Sequence, residues 1–385
     1  MKILMSSARF DKKQGIDHIN FSYGVVETSF YKVLERDVEH VYRPEFLSIK
    51  SEEPKKIHLI FRKFRDIRTI NGAKNISIIS WEFDEIQTHS TNQEGPFYNQ
   101  KNMMKMMDEV WVASLHLKKV LKRNGIENIH FIPCAIDMNI FRPLGATELV
   151  SELAFVRCHN HSEELEVQNS RLLQKELDKK VFVSVFNPFD KRKNAQVLIR
   201  GFLKATANSS DAVLVVKLNM GKSDFSVAVS QLGLSEEEIL SPKVIFLTEF
   251  LTENQLAALY SLSDYYLCTS KGEGQNLPIL EAMSCGVVPV SVNNTAMKDY
   301  VFRFNSFVIP SVKRPVPTGL KVCFHNIPNL TWYECSIGDV EKAVSHALAA
   351  TDFAHKIKSC ISKLIVRLRY SNNSIKKKVK RRLRG

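Results

Sequence analysis

The chain has 385 residues, long enough for about two domains of ordinary size, and its 44% hydrophobic and 25% charged residues are typical of a globular protein. This composition excludes a wholly disordered, collagen-like or coiled-coil chain, and no run approaches the roughly 18 consecutive apolar residues of a membrane-spanning helix. The net charge of +13 arises almost entirely at the carboxyl-terminal end, where twelve basic residues and no acidic ones follow Asp352.

The amino-terminal residues 1–10 are typical of a buried strand that runs into a polar loop, without the apolar core or cleavage site of a signal peptide. The sequence therefore predicts a cytoplasmic protein. The seven cysteines are scattered and include no C-x-x-C pair, which argues against a disulfide framework and against a zinc site. Most of them are expected to be reduced thiols that pack as small core residues.

Short β-branched runs alternate with amphipathic stretches along the chain. Strands that are apolar on both faces and are separated by short helices predict buried parallel sheets built from βαβ units. The predicted strands cover residues 2–5, 76–80, 109–114, 129–133, 181–186, 212–218, 243–247, 265–270 and 287–292, and the predicted helices include 115–124, 194–206, 253–262 and 277–285.

The alternation breaks between about residues 145 and 178, where the chain becomes polar and acidic. We interpret this break as a domain boundary. The prediction is an α/β protein with two doubly wound, Rossmann-like domains, residues 1–170 and 171–350, which face each other across a cleft. Ligands are expected at the carboxyl ends of the strands. Residues 351–385 are assigned to a separate basic helix or tail.

The basic tail contains the apolar residues Ile361, Leu364, Ile365 and Leu368 at helical spacing, with basic residues between them. This pattern is typical of an amphipathic helix that lies on an anionic membrane surface. A solvated charged tail remains an alternative. Nucleic-acid binding is disfavoured because Tyr370 is the only aromatic residue available to stack on bases after Phe353.

The most informative segment runs from a predicted strand through a glycine-rich loop into a helix, over residues 270–290. Pro278 near the start of this helix and Gly286 just after its end mark its boundaries. The loop therefore presents backbone N–H groups and the positive end of a helix dipole at the carboxyl edge of a parallel sheet, which suits a diphosphate. Glu273 in the loop and Glu281 on the helix would repel such an anion unless they face the hydroxyl groups of a sugar.

Glu273 and Glu281 form an E-x7-E pair within this run, which resembles the signature of the retaining glycosyltransferases of the GT-B fold, the large family four. The resemblance covers roughly residues 76–300. It implies that Glu281 binds the ribose hydroxyls of a nucleotide-sugar donor. It also implies that Glu273 contacts the transferred sugar near the reacting face, as a catalytic residue.

Further segments resemble the same family. Residues 186–202 are similar to the first strand–loop–helix unit of its donor domain, whose basic residues neutralise the diphosphate. The resemblance therefore implies that Lys193 is a catalytic and donor-binding residue and that Arg192 assists it. Residues 108–114 and 132–143 resemble the strand-and-hinge run that ends the acceptor domain.

Three positions depart from the family pattern. Asn187 stands where many members carry a basic residue, so one diphosphate contact is expected to fall to Arg192 or Lys217. The glycine pair of the amino-terminal loop is reduced to Gly15. Glu82 lies where many members have a histidine, and it could act beside the transferred sugar. It is at least equally well interpreted as an exposed loop residue without a role in the active site.

The resemblance implies transfer of a sugar from a nucleoside diphosphate donor, UDP- or GDP-linked, to an acceptor hydroxyl with retention of configuration. No D-x-D motif is present, so neither a metal nor another cofactor is expected. The base would bind near Phe250. The leaving diphosphate would be stabilised by Arg192, Lys193 and the N–H groups of Gly274, Gln275, Asn276 and Leu277.

The expected partners are a glycan or glycolipid acceptor and the inner face of the membrane. This peripheral enzyme would act in cell-surface polysaccharide or glycolipid synthesis. Two other functions stay open: a non-catalytic nucleotide-sugar-binding protein and a sugar-nucleotide epimerase of the same fold. His89 and His116 are more typical of surface or satisfied core histidines than of catalytic groups.

Overall fold

Two parallel sheets organise the part of the chain that the structure, a computed structural model, describes. The described residues are 2–7, 22–34, 38–41, 43–50, 56–62, 67–89, 99–153, 158–159, 179–208, 211–220, 225–321 and 327–384.

The first sheet has six parallel strands in the order β2-β1-β3-β4-β5-β6. The strands are β1 Lys2–Ser7, β2 Val38–His40, β3 Lys56–Phe61, β4 Lys74–Ile79, β5 Glu109–Val112 and β6 Ile129–Phe131, and the helices of this domain are α1 Ser22–Leu34, α2 Gln100–Lys105 and α3 Leu115–Arg123. Alternate residues of each strand face opposite sides of the sheet, so Leu59 lies in one core and its neighbour Ile60 in the other. Both faces are therefore covered, as the apolar runs predict.

The second sheet has seven strands in the order β13-β12-β11-β8-β9-β10-β7, and only β7 runs antiparallel to its neighbour. The strands are β7 Cys158–His159, β8 Lys180–Phe186, β9 Ala212–Leu218, β10 Val244–Leu247, β11 Tyr265–Cys268, β12 Val288–Val292 and β13 Phe307–Ile309. The chain moves outward from β8 to β10 and then returns to β11 on the other side of β8. This reversal leaves a crevice at the carboxyl ends of β8 and β11, where ligands of doubly wound proteins bind.

Ten helices and one hairpin complete the described chain. The helices are α4 Ala146–Leu153, α5 Ala195–Ala205, α6 Phe225–Ser230, α7 Glu236–Ile239, α8 Glu253–Leu262, α9 Leu277–Ser284, α10 Thr318–Lys321, α11 Ile337–Leu348, α12 Asp352–Arg369 and α13 Asn372–Arg384, and the hairpin pairs β14 Val312–Pro315 with β15 Thr331–Glu334. None of these helices is both long and apolar enough to cross a membrane, within the residues described.

The doubly wound architecture is confirmed, and every predicted strand and helix has its counterpart. The central strand β3 was missed, and its apolar residues lead directly into a basic run over residues 61–68. Residues 63–66 of that run and Gly15 lie outside the described residues. The structure describes five free cysteines, of which Cys360 is exposed and the others are buried.

The chain enters the second domain earlier than the boundary we placed at residue 170. Ile136 and Phe141 already belong to the core of the second domain, and α4 packs against α8. The short β7 adds an edge strand to the second sheet. We had interpreted this stretch as the domain boundary because it is polar and acidic. Most of residues 154–178 lie outside the described residues.

Residues 351–385 do not form the separate tail that we predicted. Helix α12 packs against α9 of the second domain, and α13 returns to the first domain, where it contacts α1. Ile375 and Val379 lie fully within the core of the first domain. Arg382 donates to buried Glu109 at 2.6 Å. The apolar residues between the basic ones therefore bind the two domains to each other.

Candidate functional site

A short basic turn follows β8 at the crevice. Asp190 caps a 3₁₀ turn over Lys191–Lys193, and its carboxylate accepts a bond from the backbone N–H of Arg192 at 3.0 Å. Asn194 ends the turn in the left-handed conformation with φ of 56°, which directs the chain into α5. This local geometry presents Arg192 and Lys193 at the carboxyl edge of the sheet.

The glycine-rich loop after β11 lies directly against this turn. The hydroxyl of Thr269 donates to the carbonyl of Lys193 at 3.1 Å, and the N–H of Lys271 donates to the carbonyl of Arg192 at 2.7 Å. On the other side, the hydroxyl of Thr295 accepts a bond from the N–H of Glu273 at 2.9 Å. Backbone and hydroxyl contacts thus hold the loop in one place before any ligand is present.

A cluster of five charged side chains fills the crevice. Lys193 Nζ lies 2.5 Å from Glu273 Oε1, while Arg192 pairs with Asp190 at 2.7 Å and with Glu82 of the first domain at 2.9 Å. Burial alone would lower the pKa of Lys193, but the carboxylates of Glu273 and Asp190 raise it above its ordinary value. Burial raises the pKa of Glu82, and Arg192 opposes that shift. Both cations are therefore permanently charged and fully paired.

The first domain closes over the glycine-rich loop at two positions where a side chain has no room. A Cβ added to Gly274 would lie 1.9 Å from Ser80 Oγ, and one added to Gly272 would lie 2.7 Å from the carbonyl oxygen of Glu82. Glycine at these positions permits the backbone of one domain to contact the other. The segment after β4 thus forms the opposite wall of the crevice.

Glu281 lies apart from the paired cluster, on α9. The helix begins at Asn276, which is in the left-handed conformation with φ of 58°, and has Pro278 in its first turn. Glu281 Oε2 accepts a bond from the hydroxyl of Tyr260 at 3.3 Å. Burial raises the pKa of Glu281 to about 7. This carboxyl has no basic partner among the described residues, so it remains available to ligand hydroxyls.

The structure also shows the surroundings of three further predicted donor-binding residues. Lys217 is buried at the end of β9, where its amine donates to the carbonyl of Leu218 and to Asn219, and burial lowers its pKa to about 8. The side-chain amide of Gln275 contacts the first domain, because it accepts a hydrogen bond from the N–H of Cys134 and donates one to the carbonyl of Cys134. Phe250 is 65% exposed in the loop after β10.

A second set of contacts between the domains was missed by the sequence analysis. Asp84 pairs with Lys313 at 2.6 Å and accepts from the hydroxyl of Tyr333 at 3.2 Å. Glu85 accepts from both the N–H and the hydroxyl of Thr331. The acidic run after β4 was the available signal, but its basic partners are more than 200 residues away in sequence.

No group of three or more histidine, cysteine, aspartate or glutamate side chains in the described part of the chain is arranged to hold a metal ion.

Comparison with known proteins agrees with this geometry. Residues 179–318, just over a third of the chain, match the family model described as "Glycosyl transferases group 1". A serotype-specific mannosyltransferase of Escherichia coli, WbdA, is 33% identical over 93 residues. That alignment covers 23% of this chain and spans only 11% of the length of the curated relative.

Two solved structures match over essentially their whole length. Sucrose-phosphate synthase from Thermosynechococcus elongatus has a TM-score of 0.64 at 14% identity, covering 100% of this chain and 98% of that one. HepE from Anabaena, solved in complex with UDP and glucose, has a TM-score of 0.63 at 13% identity, covering 100% and 99%. The protein thus has the predicted GT-B fold, and its second domain contains a segment that matches the model of group 1 glycosyl transferases.

Proposed function

We propose that this protein is a glycosyltransferase that moves a sugar from a nucleoside diphosphate to an acceptor hydroxyl with retention of configuration. The observation that carries the proposal is the charge cluster at the crevice, where Lys193 meets Glu273 within the segment that matches the group 1 glycosyltransferases. The serotype-specific mannosyltransferase among its relatives supports a role in cell-surface polysaccharide or glycolipid synthesis.

The two cations of the cluster are suited to hold the leaving diphosphate. Arg192 and Lys193 are now neutralised by Asp190, Glu82 and Glu273. A diphosphate at the start of α9 would take over part of this pairing, and the helix dipole would favour it further. Stabilisation of developing negative charge by fixed cations requires little reorganisation during the reaction. We propose that these groups act without a metal ion.

The glutamates would then contact the sugar moieties of the donor. We propose that Glu281 binds the ribose hydroxyls and that Glu273, released from Lys193, contacts the transferred sugar. In the transfer the bond from the anomeric carbon to the diphosphate breaks and a bond to the acceptor oxygen forms on the same face. The acceptor proton passes to the departing diphosphate oxygen. Glu82, which reaches Arg192 from the first domain, would line the sugar on its acceptor side.

Calorimetric titration of UDP, GDP, ADP and CMP tests the donor site and identifies the base. One nucleoside diphosphate should bind, and Glu281→Ala should weaken it by about 1–3 kcal/mol through lost charged hydrogen bonds. Glu237→Ala, which changes an exposed glutamate of α7, is the matched control. Absence of binding by all four nucleotides would contradict the proposal. Binding without transfer to any acceptor would favour the non-catalytic protein, and conversion of the donor without acceptor would favour the epimerase.

We further propose that the protein associates with the inner face of the membrane through α12. This helix packs through Ser362 and Val366, and its opposite side carries an exposed apolar row, in which Phe353 and Leu368 are 73% and 65% exposed. The row also includes Ile357 and Leu364 and is bordered by Lys356, Lys363 and Arg367. An apolar row with a basic border is complementary to anionic lipid headgroups. Ile365, which we had included in this row, instead packs against the core.

Vesicle sedimentation tests this association. A Leu364→Ser, Leu368→Ser variant should lose binding to vesicles that contain phosphatidylglycerol, whereas Val227→Ser, at an exposed valine of α6, should bind like the wild type. Unchanged vesicle binding by the double variant would refute the membrane assignment. Binding of the protein to oligonucleotides but not to vesicles would refute it as well. These substitutions leave α13 intact, which a deletion of the tail would not.

A further inference from the structure

A small cavity of about 190 Å³ lies between the two domains, outside the charge cluster of the crevice. Its first-domain wall is formed by α3 and includes His116, Lys119 and Arg123. Its second-domain wall includes Lys298, Asp299 and Tyr333. Sites for drug-sized ligands usually have about 300–1,000 Å³. The cavity is therefore too small for a nucleotide sugar and has the size for one small charged group.

Three cations of this cavity have no carboxylate partner among the described residues. Lys119, Arg123 and Lys298 are exposed and form none of the ion pairs seen in that part of the chain, unlike Arg192 and Lys193 at the crevice. Lys298 Nζ instead lies 5.3 Å from the centre of the Tyr333 ring. Three like charges around one cavity repel each other unless an anion is bound between them.

The two carboxylates nearby are already engaged. Asp84, which also lines the cavity, is neutralised by Lys313 at 2.6 Å. Asp299 Oδ2 accepts the N–H of Leu115 at 2.7 Å at the start of α3, and its charge offsets part of that of Lys119. The cavity thus keeps an excess of positive charge.

His116 supplies a neutral hydrogen-bonding group to the same cavity. Its side chain is only 10% exposed, and Nε2 makes no hydrogen bond within the described residues, although Asp84 Oδ1 lies 3.3 Å away. A buried ring nitrogen without a hydrogen bond costs free energy, which a bound ligand can recover.

The cavity adjoins the crevice through two short connections. Asp84 follows Glu82 by two residues, and the N–H of Tyr333 donates to the carbonyl of Lys271 in the glycine-rich loop at 2.8 Å. A molecule that reaches the crevice from the acceptor side could therefore place a second group here.

We infer that this cavity binds a phosphate group carried by the acceptor, an inference that rests on the proposed glycosyl transfer. Lys119 and Arg123 of the first domain and Lys298 of the second would contact the phosphate, and His116 would add one hydrogen bond. Because the cations come from both domains, the phosphate would also hold the domains together while the acceptor hydroxyl lies at the crevice.

Calorimetric titration with inorganic phosphate, glycerol 1-phosphate and uncharged glycerol tests the site. We expect both phosphates to bind saturably and glycerol not to bind. An Arg123→Ala, Lys298→Ala variant should weaken phosphate binding by about tenfold or more, through the loss of two charge-assisted contacts. Lys122→Ala, an exposed lysine on the same helix that does not line the cavity, is the matched control. The ring resonances of His116 should shift on titration.

Several results would overturn the inference. Equal affinity in the wild type and the double variant would exclude this cavity, and loss of phosphate binding in Lys193→Ala instead would assign the phosphate to the crevice. Binding of inorganic phosphate but not of the ester would mean that the site takes the free anion and not an acceptor. Nucleotide binding is measured in parallel. If it is normal in the double variant, the two sites are independent, and if it is absent in the wild type, the transferase proposal has failed while the anion site remains testable.

Discussion

The crevice and the carboxyl-terminal helices contain the same kinds of basic side chain in opposite settings. At the crevice, Arg192 and Lys193 are nearly buried, and carboxylates within 3 Å hold each of them. On α12 and α13, Arg367 and Lys380 lie at the surface. A buried cation acts through one fixed geometry, whereas an exposed one contributes only screened, additive attraction. The number of charges therefore says less about function than their burial does.

Lys193→Ala should have the largest effect on activity. In the proposed transfer it removes a cation from the leaving diphosphate, and it leaves Glu273 buried without its partner, so kcat should fall by about 10²–10³-fold. Lys191→Ala is the matched control, because that side chain lies in the same turn but donates to the carbonyl of Gln231. Near-normal turnover by Lys193→Ala would show that its pairing with Glu273 is merely structural.

Ile375→Ala tests whether α13 belongs to the fold. This side chain is fully buried in the core of the first domain, so its truncation should lower the free energy of unfolding by about 3 kcal/mol. Lys377→Ala, on the exposed side of the same helix, should have an effect close to zero. Urea titration measures both. Equal stability of the two variants would mean that the helix is detached in solution and would restore the tail interpretation.

The pH dependence of stability should reveal the buried carboxyl of Glu281. Its pKa is about 7 in the folded protein and ordinary in the unfolded chain, so the native state binds more protons between about pH 4.5 and 7. Stability is therefore lost as the pH rises through this window, by an amount on the order of 3 kcal/mol.

Glu281→Gln should remove that loss and become more stable than the wild type at pH 8, with little difference at pH 5. Glu237→Gln at the exposed glutamate of α7 should follow the wild type at both values. Thermal unfolding at the two pH values distinguishes the variants, and parallel curves for Glu281→Gln and the wild type would mean that the carboxyl is solvated.

Glu82→Gln should have the smallest effect of the four changes. It removes the carboxylate that neutralises Arg192 from the first domain, so transfer should fall by about tenfold while nucleotide affinity does not weaken. Glu85→Gln is a control for the loss of contact between domains, because Glu85 bonds Thr331 and has no contact with Arg192. Weaker nucleotide binding in Glu82→Gln would show that the pair positions Arg192 rather than competing with the donor.

Much of the local structure was predictable because it depends on neighbours in sequence. The alternation of strands and helices and Pro278 in the first turn of α9 are both local, and they led to the prediction of two doubly wound domains. The missed strand β3 shows the limit of this reasoning, since a basic run beside an apolar one hides a strand at the centre of a sheet.

Contacts between distant segments were decided only by the tertiary structure. The sequence showed that one face of α13 is apolar, but not that this face covers the first domain, because periodicity identifies a buried face without identifying its partner. For the same reason it could not show that Gln275 bonds Cys134, that Glu82 reaches Arg192, or that Lys119 and Lys298 meet at one cavity. The amino-acid sequence by itself determined the helices and strands and the position of the glycine-rich loop. The packing of the two domains decided which charges are neutralised and which remain available for ligands.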